Sequence, residues 1–283
     1  MSFVSITPSQ LSGTYADSNR WEVLNGPGDS RPTGRRIVED EIVLIISVSS
    51  GIGVETARVL ASTGATVYGT ARNLEKAWKA LGHELLDSGH TDLSSVRACT
   101  EEFRKQSRTL NILINSAAES RTEDSFELQF STNRLSHFRL FYLLKDVLFA
   151  SSTPQFHSRA ISMSSAGHCY SPLRLDNINF DGDKTANIYL TNHIERLYGA
   201  QDLHGYSVHP GAFARPNLQK HSQAEMEAVN RDEKLNVYLG GTEQACATTV
   251  YGAILGELEG KGGRYIEGAS TVVLPVPKHD SPV

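Results

Sequence analysis

The sequence predicts one α/β domain built on a doubly wound parallel sheet, and three observations carry that prediction. Short apolar runs alternate with amphipathic stretches of about 10–15 residues along most of the chain. The first apolar run, residues 41–46, ends in a serine- and glycine-bearing turn that opens straight into a helical pattern. No internal repeat or low-complexity stretch interrupts the alternation. Strands that alternate with helices need crossover connections, which cover both faces of a parallel sheet. The right-handed rule for such crossovers makes the sheet doubly wound.

Residues 1–39 stand apart from this pattern. They are rich in Ser, Gly, Pro and Asn and predict an N-terminal arm draped over the surface, docked at Trp21 and Val23, with a short helix from Thr7-Pro8. Residues 40–283 predict the folded domain. Its first strand is EIVLII (41–46), followed through SVSSGIG by the helix VETARVLASTG, which Gly64 closes. ATVYGTAR (65–72) predicts the second strand, and NLEKAWKAL (73–81) a helix capped by Asn73. HELL (83–86) is a weak third strand. Asp92 caps the next helix, on which Val96, Cys99 and Phe103 share one face.

TLNILIN (109–115) reads as a central buried strand and residues 125–151 as a long helix with an apolar face. A strand at 159–165, an irregular segment at 166–183 and a helix at 184–199 follow. GYSVHPG (205–211) is a sixth strand running into a loop. Helices around 223–232 and 242–258 and a short strand at 264–266 complete the chain.

A chain of 283 residues buries one substantial core without a second domain. Its net charge of -5 gives no field to gather nucleic acid or an acidic membrane, so a neutral small molecule fits better as the partner. Cys99, Cys169 and Cys246 are odd in number and widely spaced, which predicts neither a disulfide framework nor a metal site. The start, MSFVSITPSQLSG, has no basic region or continuous apolar core and reads as mature protein. No stretch approaches the roughly 20 apolar residues of a membrane span. The expected compartment is the cytoplasm.

Between the first strand and its helix lie Ser47, Ser49, Ser50, Gly51, Ile52 and Gly53. Glycines there let the backbone turn sharply and approach a diphosphate, whose charge a helix N-terminus favours. Taken alone, the turn is equally a tight strand-to-helix connection. Arg72 ends the second strand, where an acidic residue would bind the ribose of NAD. A guanidinium there pairs instead with the 2′-phosphate of NADP, or else is solvated near Glu75.

With the helix VETARVLASTGATVYGTARN, the turn resembles the short-chain dehydrogenase/reductase family, and particularly its retinol-dehydrogenase-like members, across residues 32–268. That resemblance implies a Rossmann fold, an NADP cofactor in preference to NAD, and an oxidoreductase acting on a carbonyl or secondary alcohol. In the family the loop reads Thr-Gly-x-x-x-Gly-Ile-Gly, whereas Ile46 and Ser47 stand at its front here. Ser47 carries a Cβ, which hinders the cofactor if the backbone there needs positive φ. Asn115-Ser116-Ala117-Ala118 stands in place of Asn-Asn-Ala-Gly, so Asn115 is kept. The family's adenine-contacting Asp falls at Gly89, with Asp87 as a substitute.

The same resemblance implies the catalytic roles. Ser165, with Ser164 as the alternative, holds the substrate oxygen; Lys184 grips the nicotinamide ribose; Asn133 steadies the proton-relay water. Without the resemblance, Ser165 is a turn residue and Asn133 part of a solvated face. His209-Pro210-Gly211 resembles the turn lining the nicotinamide pocket, with Ala212–Pro216 where a threonine is usual. The departure is at the family's Tyr-x-x-x-Lys. Phe180 lies four residues before Lys184, and the short link FDGD suggests a deletion that removed the tyrosine. Tyr170, Tyr189, His168 and His193 are poor substitutes, and the histidines read first as a loop surface residue and an exposed helix residue.

Two functions therefore stay open: an NADP-dependent oxidoreductase, or a repurposed member acting as an isomerase, a cyclase or a non-catalytic binding protein. The resemblance also implies a homodimer or tetramer through the long helices, with Leu140, Tyr142 and Leu143 as interface candidates, although a monomer's own core would use similar residues.

Overall fold

Residues that are apolar at every position, not every second one, form the inner strands, because both faces of a parallel sheet are covered. The computed structural model describes residues 2–6, 40–71, 74–81, 96–116, 136–164, 183–211, 242–268 and 270–272. The strands are β1 (Ser2–Ile6), β2 (Ile42–Ile46), β3 (Thr66–Ala71), β4 (Ile112–Asn115), β5 (Ser158–Met163), β6 (Leu203–His209), β7 (Arg264–Glu267) and β8 (Ser270–Val272). The helices are α1 (Ile52–Ser62), α2 (Leu74–Leu81), α3 (Val96–Gln106), α4 (Ser136–Ser151), α5 (Asp183–Tyr198) and α6 (Thr242–Ile254).

One sheet contains all these strands in the order β1-β3-β2-β4-β5-β6-β7-β8. The six inner strands are parallel, and β1 and β8 add to the two edges antiparallel. This is the doubly wound α/β architecture that the alternation predicts.

Alternate residues of each strand feed two separate cores. Val43 and Ile45, Ile112 and Ile114, Ile161, and Tyr206 and Val208 face α1, α2 and α6, with Ala57, Leu60, Trp78, Val250 and Ile254 among the packed residues. Leu44 and Ile46, Leu113, Ala160 and Leu203 face the opposite layer, where Cys99, Phe103, Leu140, Leu144, Leu148 and Ile194 pack. Each fully buried Leu, Ile or Phe stabilises the fold by about 1.5–3 kcal/mol relative to exposure. Burial pushes the Cys99 thiol up to about 12, so this cysteine acts as a core residue. Among the described residues no helix is long and apolar enough to cross a membrane, and none forms a group of three or more metal-ligating side chains.

Several expectations are corrected. Ser2–Ile6 is not part of a draped arm: it pairs with β3 in the register Ser2↔Ala71 to Ile6↔Val67. The unpaired edge of β3 offers a row of backbone donors and acceptors, and a five-residue stretch suffices to fill it. Residues 7–39, including the Thr7-Pro8 start and Trp21, lie outside the described residues, as do 83–86, 125–135 and 223–232. Beyond Ile266 the chain turns at Gly268 (φ 56) and returns as β8, an additional strand.

The last long helix stops at Ile254, not Leu258. Its cause is Arg159 on β5, which is fully buried. The guanidinium donates to the carbonyls of Gly252 at 3.0 Å, Ala253 at 3.1 Å and Leu255 at 2.9 Å, and to Glu259 Oε1 at 2.8 Å. Helix-terminal carbonyls lack in-helix donors and carry partial negative charge, so a paired cation satisfies both needs. By contrast α1 ends as expected, with Gly64 at φ 103 donating to Ala61 at 3.1 Å.

Helix α5 lies so close on β6 that a Cβ on Gly205 would overlap the backbone carbonyl of Thr191. The same atom on Gly252 would meet side-chain tips and no backbone: Ile266 at 3.2 Å, Val208 at 3.5 Å and Ile161 at 3.8 Å. Gly205→Ala is expected to destabilise the protein by about 1–3 kcal/mol in urea unfolding, and Gly252→Ala by well under half as much.

Candidate functional site

Parallel strands end together, so the carboxyl ends of β2, β4, β5 and β6 form one edge. From β2 the chain crosses to β3 on one side, while β4 lies on the other. The gap between β2 and β4 is therefore the point where strand order reverses, the position at which open α/β sheets bind ligands.

The β2–α1 turn fills this position. Ser47 follows the last residue of β2 at φ 75, in the left-handed region that strains any residue with a Cβ. Its backbone N–H donates to Thr70 Oγ1 at 3.2 Å, and that of Val48 to the Thr70 carbonyl at 2.9 Å. These two bonds hold the strained residue against β3. Val48 is buried, and a Cβ on Gly69 would sit 2.9 Å from its Cγ1, so β3 needs glycine there. Ser49 is half-buried; Ser50 and Gly51 are exposed.

Gly51, at φ 65 and ψ -141, caps α1 with no side-chain hydrogen bond. No side chain of the cap residue takes up the N–H groups that open α1, although the Val54 N–H already donates to the Gly51 carbonyl at 3.2 Å. A Cβ on Gly51 would meet nothing within 4 Å, whereas one on Gly53 would overlap the Ser47 carbonyl. Gly51 faces open space, and Gly53 lets the helix start press against the strand end. The cradle suits a diphosphate: backbone donors, a helix start and no capping side chain. The Cβ of Ser47 is its departure from an all-glycine approach.

Asn115 ends β4 and is buried; its Nδ2 donates to Ser162 Oγ on β5 at 3.4 Å. Its Oδ1 is buried and has no hydrogen-bond partner among the described residues. Beside it Ser116 places its Oγ 3.6 Å from the Cβ position of Gly53, which brings the β4 end against the glycine turn. Ser164, one residue past β5, is buried and donates its N–H to the Val208 carbonyl at 2.7 Å. Pro210 and Gly211 follow β6, and a Cβ on Gly211, at φ 82, would meet nothing within 4 Å among the described residues.

Helix α5 delivers Lys184 to the same edge. Thr191 packs at Gly205, whose strand partner is Ala160, while Asn187 Nδ2 donates to the Met163 carbonyl at 2.8 Å. Passing from Thr191 to Asn187 therefore moves along β5 from Ala160 to Met163, toward its carboxyl end. Lys184 stands almost one further turn out in that direction.

The structure thus brings Ser47, Ser49, Ser50, Gly51, Ile52, Gly53, Asn115, Lys184, Pro210 and Gly211 to one edge. Arg72, Asn133 and Ser165 lie outside the described residues, as do Asp87, Gly89, His168, Tyr170, Phe180 and residues 212–216. Tyr189 is half-buried on α5, and His193 is exposed with its Nδ1 3.2 Å from Arg196. Sequence reasoning gave no role to Ser116, Thr70 or Asn187. Asn187 left a faint signal, an amide three residues after Lys184 on a helix face that otherwise meets the sheet.

The sequence model described as short chain dehydrogenase matches residues 41–226. The chain is 40% identical to short-chain dehydrogenase/reductase prx1 of Penicillium roqueforti, over 90% of this chain and 84% of that protein. It is 33% identical to oxidoreductase calI of Penicillium decumbens, over 86% of this chain and 82% of that protein. The fold also matches the RhlG/NADP active-site complex of Pseudomonas aeruginosa, with a TM-score of 0.62 and 21% identity, covering 81% of this chain and 95% of that one. The glycine turn at the strand reversal and a family match across two thirds of the length agree: the chain belongs to the short-chain dehydrogenase/reductase family.

Proposed function

We propose that the protein is an NADP-dependent oxidoreductase that acts on a carbonyl or secondary alcohol of an apolar small molecule, within the retinol-dehydrogenase-like group of its family. The observation that carries this reading is the β2–α1 turn, where Gly51 opens to solvent and Gly53 admits the helix start against Ser47. Support for NADP comes from Arg72, directly after β3, and from the NADP bound to a protein of the same fold. When bound, the nicotinamide supplies the hydride donor or acceptor.

In this reading the chain's own residues bind and orient. Ser47, Ser49, Ser50, Gly51, Ile52 and Gly53 hold the diphosphate by backbone donors. Arg72 holds the 2′-phosphate, Asn115 fixes the floor of the site, and Pro210 and Gly211 border the nicotinamide. Ser165 holds the substrate oxygen, Lys184 the ribose, and Asn133 a proton-relay water. With Phe180 four residues before Lys184, the proton passes through water and not through a phenol. That absence also favours a second reading, a repurposed member that binds nucleotide without redox turnover. The proposed compartment is the cytoplasm.

We further propose a homodimer through α4. Leu140 is buried in this chain's own core, so the available surface is Tyr142 and Phe138, 57% and 46% exposed and stacked 6.4 Å apart. Tyr142→Lys is expected to shift the protein from dimer to monomer in light scattering; a monomer before substitution overturns this interface.

Titration of NADPH against tryptophan fluorescence or heat is expected to give saturable binding tighter than about 1 mM, equivalent to about 4 kcal/mol, with NADH weaker. Silence with both nucleotides overturns the cofactor assignment. Turnover of a carbonyl panel is expected at a rate about 10²–10⁴-fold below that of a site with its general acid. Binding with no turnover selects the repurposed reading.

Ser47→Gly removes a Cβ from a left-handed residue, at the cost of a looser unfolded chain. It is expected to raise stability by up to about 1 kcal/mol in urea unfolding and to tighten NADPH. Weaker binding in this variant counts against a phosphate at the turn.

A further inference from the structure

At the opposite edge of the sheet, away from the nucleotide turn, two histidines meet nitrogen to nitrogen. His157 precedes β5 and His204 is the second residue of β6; His157 Nδ1 lies 3.0 Å from His204 Nε2, with the rings stacked at 5.2 Å. Only one proton fits between two ring nitrogens at that separation, because one must accept what the other donates. The far nitrogen of His204, Nδ1, lies 3.0 Å from Glu195 Oε2 on α5. The far nitrogen of His157, Nε2, faces Asp202 at 3.6 Å.

The other charges around the pair are fixed in place. Glu259 accepts from the His157 backbone N–H at 3.1 Å, stands 3.7 Å from its Nδ1 and pairs with Arg159 at 2.8 Å. Tyr206 on β6 donates to the Leu258 carbonyl at 2.6 Å, and burial raises its phenol above the ordinary range. Arg264 on β7 turns its Nε to the Lys261 carbonyl at 3.1 Å. Glu195 itself has no room to swing. A Cβ on Gly199 or Gly262 would overlap its carboxylate, which also accepts from the Gly205 N–H at 3.4 Å.

Counting protons gives the behaviour. A carboxylate only accepts, so His204 carries its hydrogen on Nδ1, toward Glu195. Its Nε2 then accepts, and neutral His157 carries its hydrogen on Nδ1. One added proton goes to His157 Nε2, toward Asp202, and leaves every contact in place. A second has only His204 Nε2 to occupy, where two N–H groups would oppose each other at 3.0 Å. We propose that His157 and His204 form a one-proton latch that fastens the carboxyl end of α5 to β5 and β6 and releases when a second proton is forced onto the pair. The latch is independent of the chemistry proposed for the other edge.

In the unfolded chain both imidazoles take protons separately, near the ordinary value of about 6.5. Below that pH the unfolded state holds one proton more than the latched state, so stability is present above it and lost as pH falls. The unfolding constant is expected to rise about tenfold more per pH unit below about pH 6 in the native protein than in His204→Gln, which has a single imidazole left to titrate there. Equal pH slopes in the two proteins overturn the latch. Ring ¹⁵N spectra of the full-length native protein give a second reading that needs no variant. The expected result is one proton taken up by His157 and His204 together. Two complete, independent titrations of the pair in the folded state overturn the proposal.

Discussion

The carbonyl oxygen of Ser47 occupies the space that any side chain on residue 53 would need. This one close approach sets the geometry of the ligand-binding edge. To turn its carbonyl under the start of α1, the backbone at Ser47 takes φ 75, and the two hydrogen bonds to Thr70 keep it there. Turning the chain so sharply drives Val48 beneath the helix, and its buried side chain in turn requires a glycine at position 69 on the neighbouring strand. One tight turn thereby constrains residues in β3 and α1 together, and leaves the helix start open toward the gap between β2 and β4.

The two edges of the sheet divide the work. At the carboxyl edge, among the described residues, polar groups stay open: a Cβ on Gly51 or Gly211 would meet nothing within 4 Å, and Asn115 Oδ1 has no hydrogen-bond partner. At the amino edge, Arg159, Glu259, His157, His204 and Glu195 use their donors and acceptors on one another and on the end of α6. A buried charge is tolerated only when paired and bonded, and Arg159 meets that condition four times. Helix α5 runs between the edges, with Lys184 near one end and Glu195 near the other.

Strands and the glycine turn were legible in the sequence because their causes are local. Continuous apolar runs mark strands covered on both faces, and Gly64 marks a helix end by its own conformational freedom. Ser47 was legible too, once the turn was recognised as one needing positive φ. What stayed hidden depends on partners far along the chain. Nothing in Ser2–Ile6 says that the free edge of β3 will take it up, and the polar composition of the next 33 residues points the other way. The end of α6 is set by Arg159, more than 90 residues earlier, while Leu255 and Leu258 continue the buried pattern past it. His157 and His204 are 47 residues apart and meet only because β5 and β6 pair in parallel.

The departure from the family pattern at Ser47 falls where the fold depends on it least. Ser47 strains a single residue at a turn held by backbone bonds. The register of β5 against β6, the burial of Arg159 and the seat of α5 on Gly205 do not involve it. Physical chemistry therefore lets this chain keep its architecture whatever becomes of its catalysis. Family membership establishes the scaffold on which nucleotide binding and hydride transfer can occur. The strength of either follows from a handful of atoms at the open edge, and there the Cβ of Ser47 weighs more than all the agreement elsewhere.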